Sequence, residues 1–479
     1  MRKIYENAKA VLIWIGPDDG NDSSSLAFDS IRQITARLSE KLHMSLDEMK
    51  SKEELYQGVI FENQQSVPRP DEFEFMTPQR WQALLWLYKY PYFTRVWAIQ
   101  EINANKERVA YCGTQTVDWT LVELIAGYII FQSSLCSDID FSSAFCWWAS
   151  TAPSELRQAQ NWLHMLYLAS NFGATDPRDL LYGLRGMIDC REGGHLLDPD
   201  YSKTIIDVYR DSVEASLMDY KNTNALQYVS GAEDPSWVPR WDKPMLFRNP
   251  FRFGKAVPWK AAGDSLPSWS IDKKSNVLAL SGYIIDSVQI SETYKESYFG
   301  NTMVDSEQGK LELEDIWQRV LKTMATVFPT PFESEVLISA ASSLSYGIDQ
   351  KCNPADENVL YRNFVAYLKI VLDEKIFHSY ISETIFDECK DGDGSVFGKP
   401  VWDFEYPPAS LFITENKIIG CAIATTQPGD IVFAPLGCSY PLVLRADDSG
   451  YRVRGFCFVH GYMLGEGARQ REVVVVDLH

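Results

Sequence analysis

The chain has 479 residues, 46% of them apolar and 13% aromatic, enough to build buried cores and too much for a mainly disordered state. Forty-five basic residues face 65 acidic ones, a formal charge of −20. A surface of that sign is repelled by phosphate backbones and anionic lipid, which argues against nucleic acid or a membrane surface as the main partner. The nine cysteines contain no CxxC pair, and Cys112, Cys146, Cys421 and Cys457 sit in apolar surroundings. They read as reduced thiols buried in a cytoplasmic protein. The apolar run Val11 to Ile15 is too short for a signal peptide or a membrane span, and Glu123 interrupts the run from Leu121 to Phe131.

In chain order, residues 2–9 read as the end of a helix, and Ala10 to Gly16 as a short strand apolar on both faces. Such a strand suits a parallel sheet covered by helices. After a Gly-Pro break, Leu26, Ile31, Ile34 and Leu38 give residues 23–43 helical spacing. Residues 44–76 are polar and irregular. Thr77-Pro78 is a helix start, followed by Trp81, Leu84, Leu85 and Tyr88 on one face. Pro91 restarts the chain, and Tyr92 to Asn103 predicts a second helix. Arg108 to Gly113 reads as a strand, and Asp118 caps a helix from Trp119 to about Phe131. This alternation is an α/β signature.

The middle of the chain predicts three helices. Ser154 opens the first, Asp176-Pro177 opens a second ending at Gly186, and Ser202 caps a third through Ile206, Tyr209, Val213 and Leu217. Trp237 and Trp241 flank Pro239 in an extended linker expected to pack onto a core. Residues 277–288 read as strand, 312–328 and 357–376 as helix, and 409–476 as several short strands between Gly- and Pro-rich turns.

Several segments, taken in order, resemble the fungal heterokaryon-incompatibility (HET) domain family and the region that usually follows its domain. Residues 4–16 are similar to its helix-to-strand segment. Arg95, Trp97, Gln100 and Glu101 match the R-x-W-x-x-Q-E motif, and Tyr111-Cys112-Gly113 continues the match. Asp176-Pro177-Arg178-Asp179 opens a D-P-R-D segment. Asp200-Tyr201-Ser202, residues 236–241, 427–430, 441–445 and 459–466 complete the set. The resemblance implies an α+β protein in three parts. These are a TIR-like α/β sandwich, here a partial HET domain (1–131), a helical region (132–245), and a mixed β-rich region (246–479) with a helical insertion at about 296–400. Family members usually begin with two further strands, one carrying a D-x-x-C-I-N-Q-like segment, and Met1 stands where the third conserved segment is expected. The resemblance therefore implies a partial copy or a start codon placed too late. A sheet deprived of two strands exposes hydrogen-bonding groups and apolar faces, which predicts instability or a covering partner.

The function implied is non-self recognition or cell-death signalling through protein partners or self-assembly, with no cofactor. Two alternatives accompany it. One is a non-functional truncated fragment. The other follows from the family's distant relation to TIR domains, some of which cleave NAD. Such a reaction needs a carboxylate at the ribose to stabilise oxocarbenium-like charge, and Glu101 is the candidate, with NAD as substrate. Trp97, four residues earlier, shares its helical face and offers an aromatic wall. The competing role for Glu101 is an ion pair that fixes the helix. On a helical wheel Arg95 falls roughly opposite, so the cation would come from elsewhere. Asp176, Arg178 and Asp179 read as helix cap, anchor and dipole partner, with a phosphate contact as the other role for Arg178. No metal site is expected: His460 and Glu466 lack further ligands at metal spacing, and Asp391-Gly392-Asp393 departs from the calcium-loop pattern.

Overall fold

Among the described residues two sheets organise the chain, a small one near the N-terminus and a larger one formed by its second half. The computed structural model describes residues 2–50, 68–105, 107–131, 145–146, 162–229, 231, 234–245, 258–295, 307–349, 353–397, 408–469 and 471–479. Helix α1 (Arg2–Glu6) leads into strand β1 (Val11–Gly16). The chain then builds α2 (Ser23–Leu42), α3 (Leu46–Lys50), α4 (Pro78–Tyr88) and α5 (Val96–Asn103) before β2 (Arg108–Cys112). Strand β2 lies parallel to β1, with Val11 opposite Arg108 and Trp14 opposite Tyr111. Parallel neighbours need a long crossover, which these helices supply. Gly113, at φ +57°, turns the chain tightly into antiparallel β3 (Gln115–Asp118), and α6 (Trp119–Phe131) follows. Thr77 caps α4 as expected, its hydroxyl accepting the Arg80 N–H at 3.3 Å.

Two expectations for this region change. The TIR-like sandwich becomes, at β1, two layers. Val11, Ile13 and Ile15 are buried, but Leu12 and Trp14 are 66% and 57% exposed. Successive side chains on a strand point to opposite faces, and among the described residues no helix covers the face that carries Leu12 and Trp14. Tyr92 to Asn103 is not one helix. A 3₁₀ turn at Pro91–Thr94 precedes extended Arg95 (φ −90°, ψ 126°), because that backbone pairs with Gly173 instead of continuing a helix. The charge that interrupts the apolar run of α6 has an internal partner: Arg108 Nη1 and Nη2 donate to Glu123 at 2.9 and 3.1 Å. Arg108 Nη1 also reaches the Ile102 carbonyl at 2.7 Å, tying β2, the end of α5 and α6 together.

In the middle region, α7 (Trp162–Ala169) is described, whereas Ser154 lies outside the described residues. The helix expected from Asp176 to Gly186 shrinks to α8 (Asp179–Tyr182), preceded by turns in which the Asp179 and Leu180 N–H groups bond the Asp176 and Pro177 carbonyls. Helix α9 (Ile205–Tyr220) is capped by Thr204, not Ser202. Thr204 and Asp207 form a reciprocal capping box, while the Ser202 hydroxyl turns back to Asp200. Trp237 and Trp241 are fully buried, their indoles donating to the Asn276 carbonyl and the Ser212 hydroxyl at 2.8 and 3.0 Å.

The second half holds β4 (Trp269–Asp272) and the long β5 (Val277–Lys295). Helices α10 (Glu307–Ala325), α11 (Ser334–Leu344), α12 (Glu357–Val371), α13 (Glu374–Tyr380) and α14 (Glu383–Glu388) follow. The remaining strands are β6 (Pro408–Thr414), β7 (Ile419–Ala422), β8 (Ile431–Pro435), β9 (Leu442–Asp447), β10 (Gly450–Val459) and β11 (Val474–Leu478). The short strands expected here close on themselves: β5, β8, β9, β10, β7 and β6 pair in a ring, and β11 bridges β10 and β5. Ile285, Val288, Phe412, Val432, Val443 and Cys457 form part of a second apolar core distinct from the main one. Closure pairs backbone groups that an open sheet would leave at its edges. The protein is thus α+β. Among the described residues no helix is long and apolar enough to cross a membrane.

The Arg108–Glu123 pair, with side chains 12% and 3% exposed, gives a test of this packing. Glu123→Ala should leave a buried guanidinium uncompensated and cost about 3–5 kcal/mol in urea unfolding. An unchanged midpoint would show that the pair does not hold β2 to α6.

Candidate functional site

The R-x-W-x-x-Q-E and D-P-R-D segments meet in space. The backbone around Arg95 runs beside Gly173: the Val96 N–H donates to the Gly173 carbonyl at 3.1 Å, and the Gly173 N–H to Thr94 at 2.5 Å. This pairing brings the start of α5 against the turn leading to α8. Trp97 Nε1 donates to Asp179 Oδ2 at 3.2 Å, and the Tyr201 hydroxyl donates to Asp179 Oδ1 at 2.6 Å. Asp179, expected only to complement a helix dipole, therefore clasps two aromatic residues from separate segments. That hydrogen bond, with burial second, pushes the Tyr201 phenol up to about 12.

Arg178 is spent on the same junction. Its Nε and Nη2 grip Asp176 at 2.9 and 2.7 Å, and Nη1 donates to the Tyr201 and Lys203 carbonyls at 2.7 and 2.8 Å. These bonds hold the Asp176 carboxyl below its ordinary range, while its Oδ1 also accepts the Arg178 N–H. The guanidinium lies 5.2 Å from the Tyr201 ring centroid. All three of its nitrogens are already donating, so a phosphate would have to displace internal acceptors.

Glu101 has a different neighbourhood. The buried Tyr92 donates its hydroxyl to Glu101 Oε2 at 3.3 Å. Burial first and the Glu101 carboxylate second raise the Tyr92 phenol well above its usual value, and the same two causes raise Tyr5. Arg95 opposes the shift at both tyrosines, so it acts in the same neighbourhood as Glu101. The helical wheel does not extend to Arg95, whose backbone is extended. Trp97, half-buried, is committed through its indole to Asp179, while Gln100 is buried at 6% exposure. A surface cleft of about 380 Å³ is lined by Gln82, Leu85, Trp86, Lys89, Tyr90 and Pro91, and not by Glu101.

The sequence reading missed the tyrosines of the site. Tyr92, Tyr182 and Tyr201 lie inside or within three residues of the segments quoted for the resemblance, and Tyr182 and Tyr201 meet edge to face at 5.3 Å. No spacing rule pairs Tyr201 with Asp179, 22 residues away, and Tyr92 reaches Glu101 across a 3₁₀ turn and the extended Arg95 that break the helical period. Among the described residues no group of three His, Cys, Asp or Glu side chains could hold a metal. His460 bonds Glu357 on α12 at 3.1 Å, while Glu466 accepts the Leu464 N–H, so these two do not converge. Asp393 Oδ1 is turned onto Ser395, accepting its N–H and hydroxyl.

Residues 1–101 match the family model described as "Heterokaryon incompatibility protein (HET)", a match that ends on Glu101. Over those residues the chain is similar to the HET domain family. Heterokaryon incompatibility protein 6, OR allele, of Neurospora crassa is 21% identical over 567 aligned residues, which cover 98% of this chain and 78% of that protein. No solved structure matches. The HET match includes β1 and ends within α5, before β2, so the strand that completes the parallel pair lies beyond it.

The clasp makes a titration prediction. Tyr201 has a folded value above its unfolded value of about 10, so its contribution to stability is present below that pH and is lost as pH rises through about 12. Asp179→Asn should bring phenolate formation at Tyr201 back toward about 10, read by ultraviolet absorbance. Trp97 fluorescence should change in the same variant. An unaltered titration would remove Asp179 as the partner.

Proposed function

We propose that this chain is a recognition or cell-death signalling protein of the incompatibility type that works by protein assembly. The open side of the HET sheet is its contact surface. The observation that carries this reading is the exposure of Leu12 and Trp14 on β1, whose register partners Val109 and Tyr111 share their face and are half-buried. Among the described residues, β1 is also paired on one side only, by β2. An uncharged strand with an unpaired edge and an apolar face is a ready template for another strand. Incompatibility is a property named for the Neurospora crassa relative, and it supports the class of function proposed.

The NAD-cleaving alternative assigns Glu101 as catalytic carboxylate. Its surroundings favour a positioning role: Tyr92 donates to it, Tyr5 and Arg95 lie within its electrostatic reach, and the cleft at Trp86 and Tyr90 does not include it. In this role Glu101 fixes α5 against the 3₁₀ turn and α1.

Two measurements check these proposals. The full chain should associate in a concentration-dependent way in sedimentation, and Trp14→Glu should shift it to monomer with its circular dichroism retained. Equal association by the two proteins would exclude the β1 face as the contact. Incubated with NAD, the protein should release no nicotinamide, and Glu101→Gln should behave identically. Turnover abolished by Glu101→Gln would establish the enzyme reading instead.

A further inference from the structure

We propose that Arg445, Arg452 and Arg454, on strands β9 and β10 of the closed barrel, form a binding site for a phosphoryl group. In a chain with a formal charge of −20, three guanidinium groups gathered on one sheet face need a reason. Arg445 and Arg452 are directly paired across the two strands, a placement that costs stability for like charges. Arg454 lies two residues beyond Arg452, and both are half-buried on either side of the buried Val453. The exposed Thr425 marks where two of the groups meet: Arg445 Nη2 donates to its carbonyl at 3.3 Å, and Arg454 Nη2 lies 3.5 Å from its hydroxyl.

The acidic partners available here do not saturate the donors. Asp430, 1% exposed, accepts Arg445 Nε and Nη2 at 2.8 and 2.9 Å, and the exposed Asp234 accepts Arg452 Nη1. Among the described residues Arg454 pairs with no carboxylate. Its Nη1 donates to the Gly231 carbonyl at 2.8 Å, and its Nε is buried without an acceptor. That contact is possible because position 231 is glycine at φ +63°, where a Cβ would lie 2.2 Å from the Val453 carbonyl. Burial first and Arg445 second lower the Arg454 pKa below its ordinary value, Asp430 opposes them, and Arg452 adds to the lowering. Three guanidinium groups against two carboxylates leave one positive charge, and Arg445 Nη1 and Arg452 Nε and Nη2 have no acceptor among the described residues. Planar guanidinium forks match the oxygens of a phosphoryl group and form charge-assisted bonds with it.

The test titrates the full chain with inorganic pyrophosphate by calorimetry, at ionic strength matched with potassium chloride. Saturable binding is expected. It should weaken by about tenfold or more in Arg454→Gln and in Arg452→Gln, each of which removes one charged donor. Arg452 pairs only with an exposed aspartate, so that variant should fold normally, and Arg37→Gln on α2 serves as a charge-matched control that should bind like wild type. Arg454→Lys should retain part of the affinity. A parallel arm uses phosphatidylcholine vesicles carrying a phosphoinositide. Binding to vesicles alone, sensitive to Arg452 and Arg454, would place the phosphoryl group on a lipid headgroup, and pyrophosphate binding would place it on a soluble compound. Absence of saturable binding in both arms, or equal affinities for wild type, Arg452→Gln and Arg454→Gln, overturns the site.

Discussion

The parallel pairing of β1 with β2 is the constraint on which the N-terminal third depends. It joins residues separated by almost a hundred positions, and everything between them must fold as a crossover that returns the chain to the same sheet. The entropy of closing so long a segment is recovered by burial on one face. Ile13, Ala110, Ile99, Phe28 and Ile31 are all at most 2% exposed and belong to one core. Arg108 adds direction to that burial. Standing at the first residue of β2, it is opposite Val11 and bonded to both α5 and α6, so the register of the strand pair and the seating of two helices are set together.

A second consequence concerns the residues most characteristic of the HET resemblance. Trp97, Asp176, Arg178 and Asp179 are joined to one another, to Tyr201 or to nearby backbone by short hydrogen bonds. A buried or half-buried polar cluster of this kind rewards only one arrangement of the segments that make it. The motif's physical role is therefore cohesion between the HET segment and the helical region that follows. The surfaces proposed to meet other molecules lie elsewhere, at the uncovered face of β1 and on the arginine-bearing strands of the barrel.

The barrel itself shows how closure changes the meaning of a sequence pattern. Strands β6 to β10 are short, and several are buried at nearly every position, as at Ile419–Ala422. As separate strands they would expose backbone groups. Arranged in a ring with β5, they satisfy one another and enclose small residues such as Ala422 and Ala434. The helices between β5 and β6 pack outside the ring, where Ser343 of α11 reaches the Ile419 carbonyl of β7 at 3.1 Å.

Local physics made much of this legible beforehand. The Thr77-Pro78 start and the spacing through Ile31, Ile34 and Leu38 follow from capping and periodicity, which depend on neighbours within a few positions. Apolar composition alone fixed that β1 would be a strand, but not that Leu12 and Trp14 would stay uncovered, since a face is buried only by what the rest of the chain brings to it. The same limit applies to the site. The sequence placed Glu101 and Asp179 in motifs, yet only the tertiary structure gave Glu101 to Tyr92 and Asp179 to Trp97 and Tyr201. Hydrogen bonds between residues 82 or 22 positions apart leave no periodic trace. Sequence determined the elements and their order. Tertiary packing decided which faces were covered, where the strands closed into a ring, and which charges found partners, because those outcomes depend on distances that no local pattern encodes.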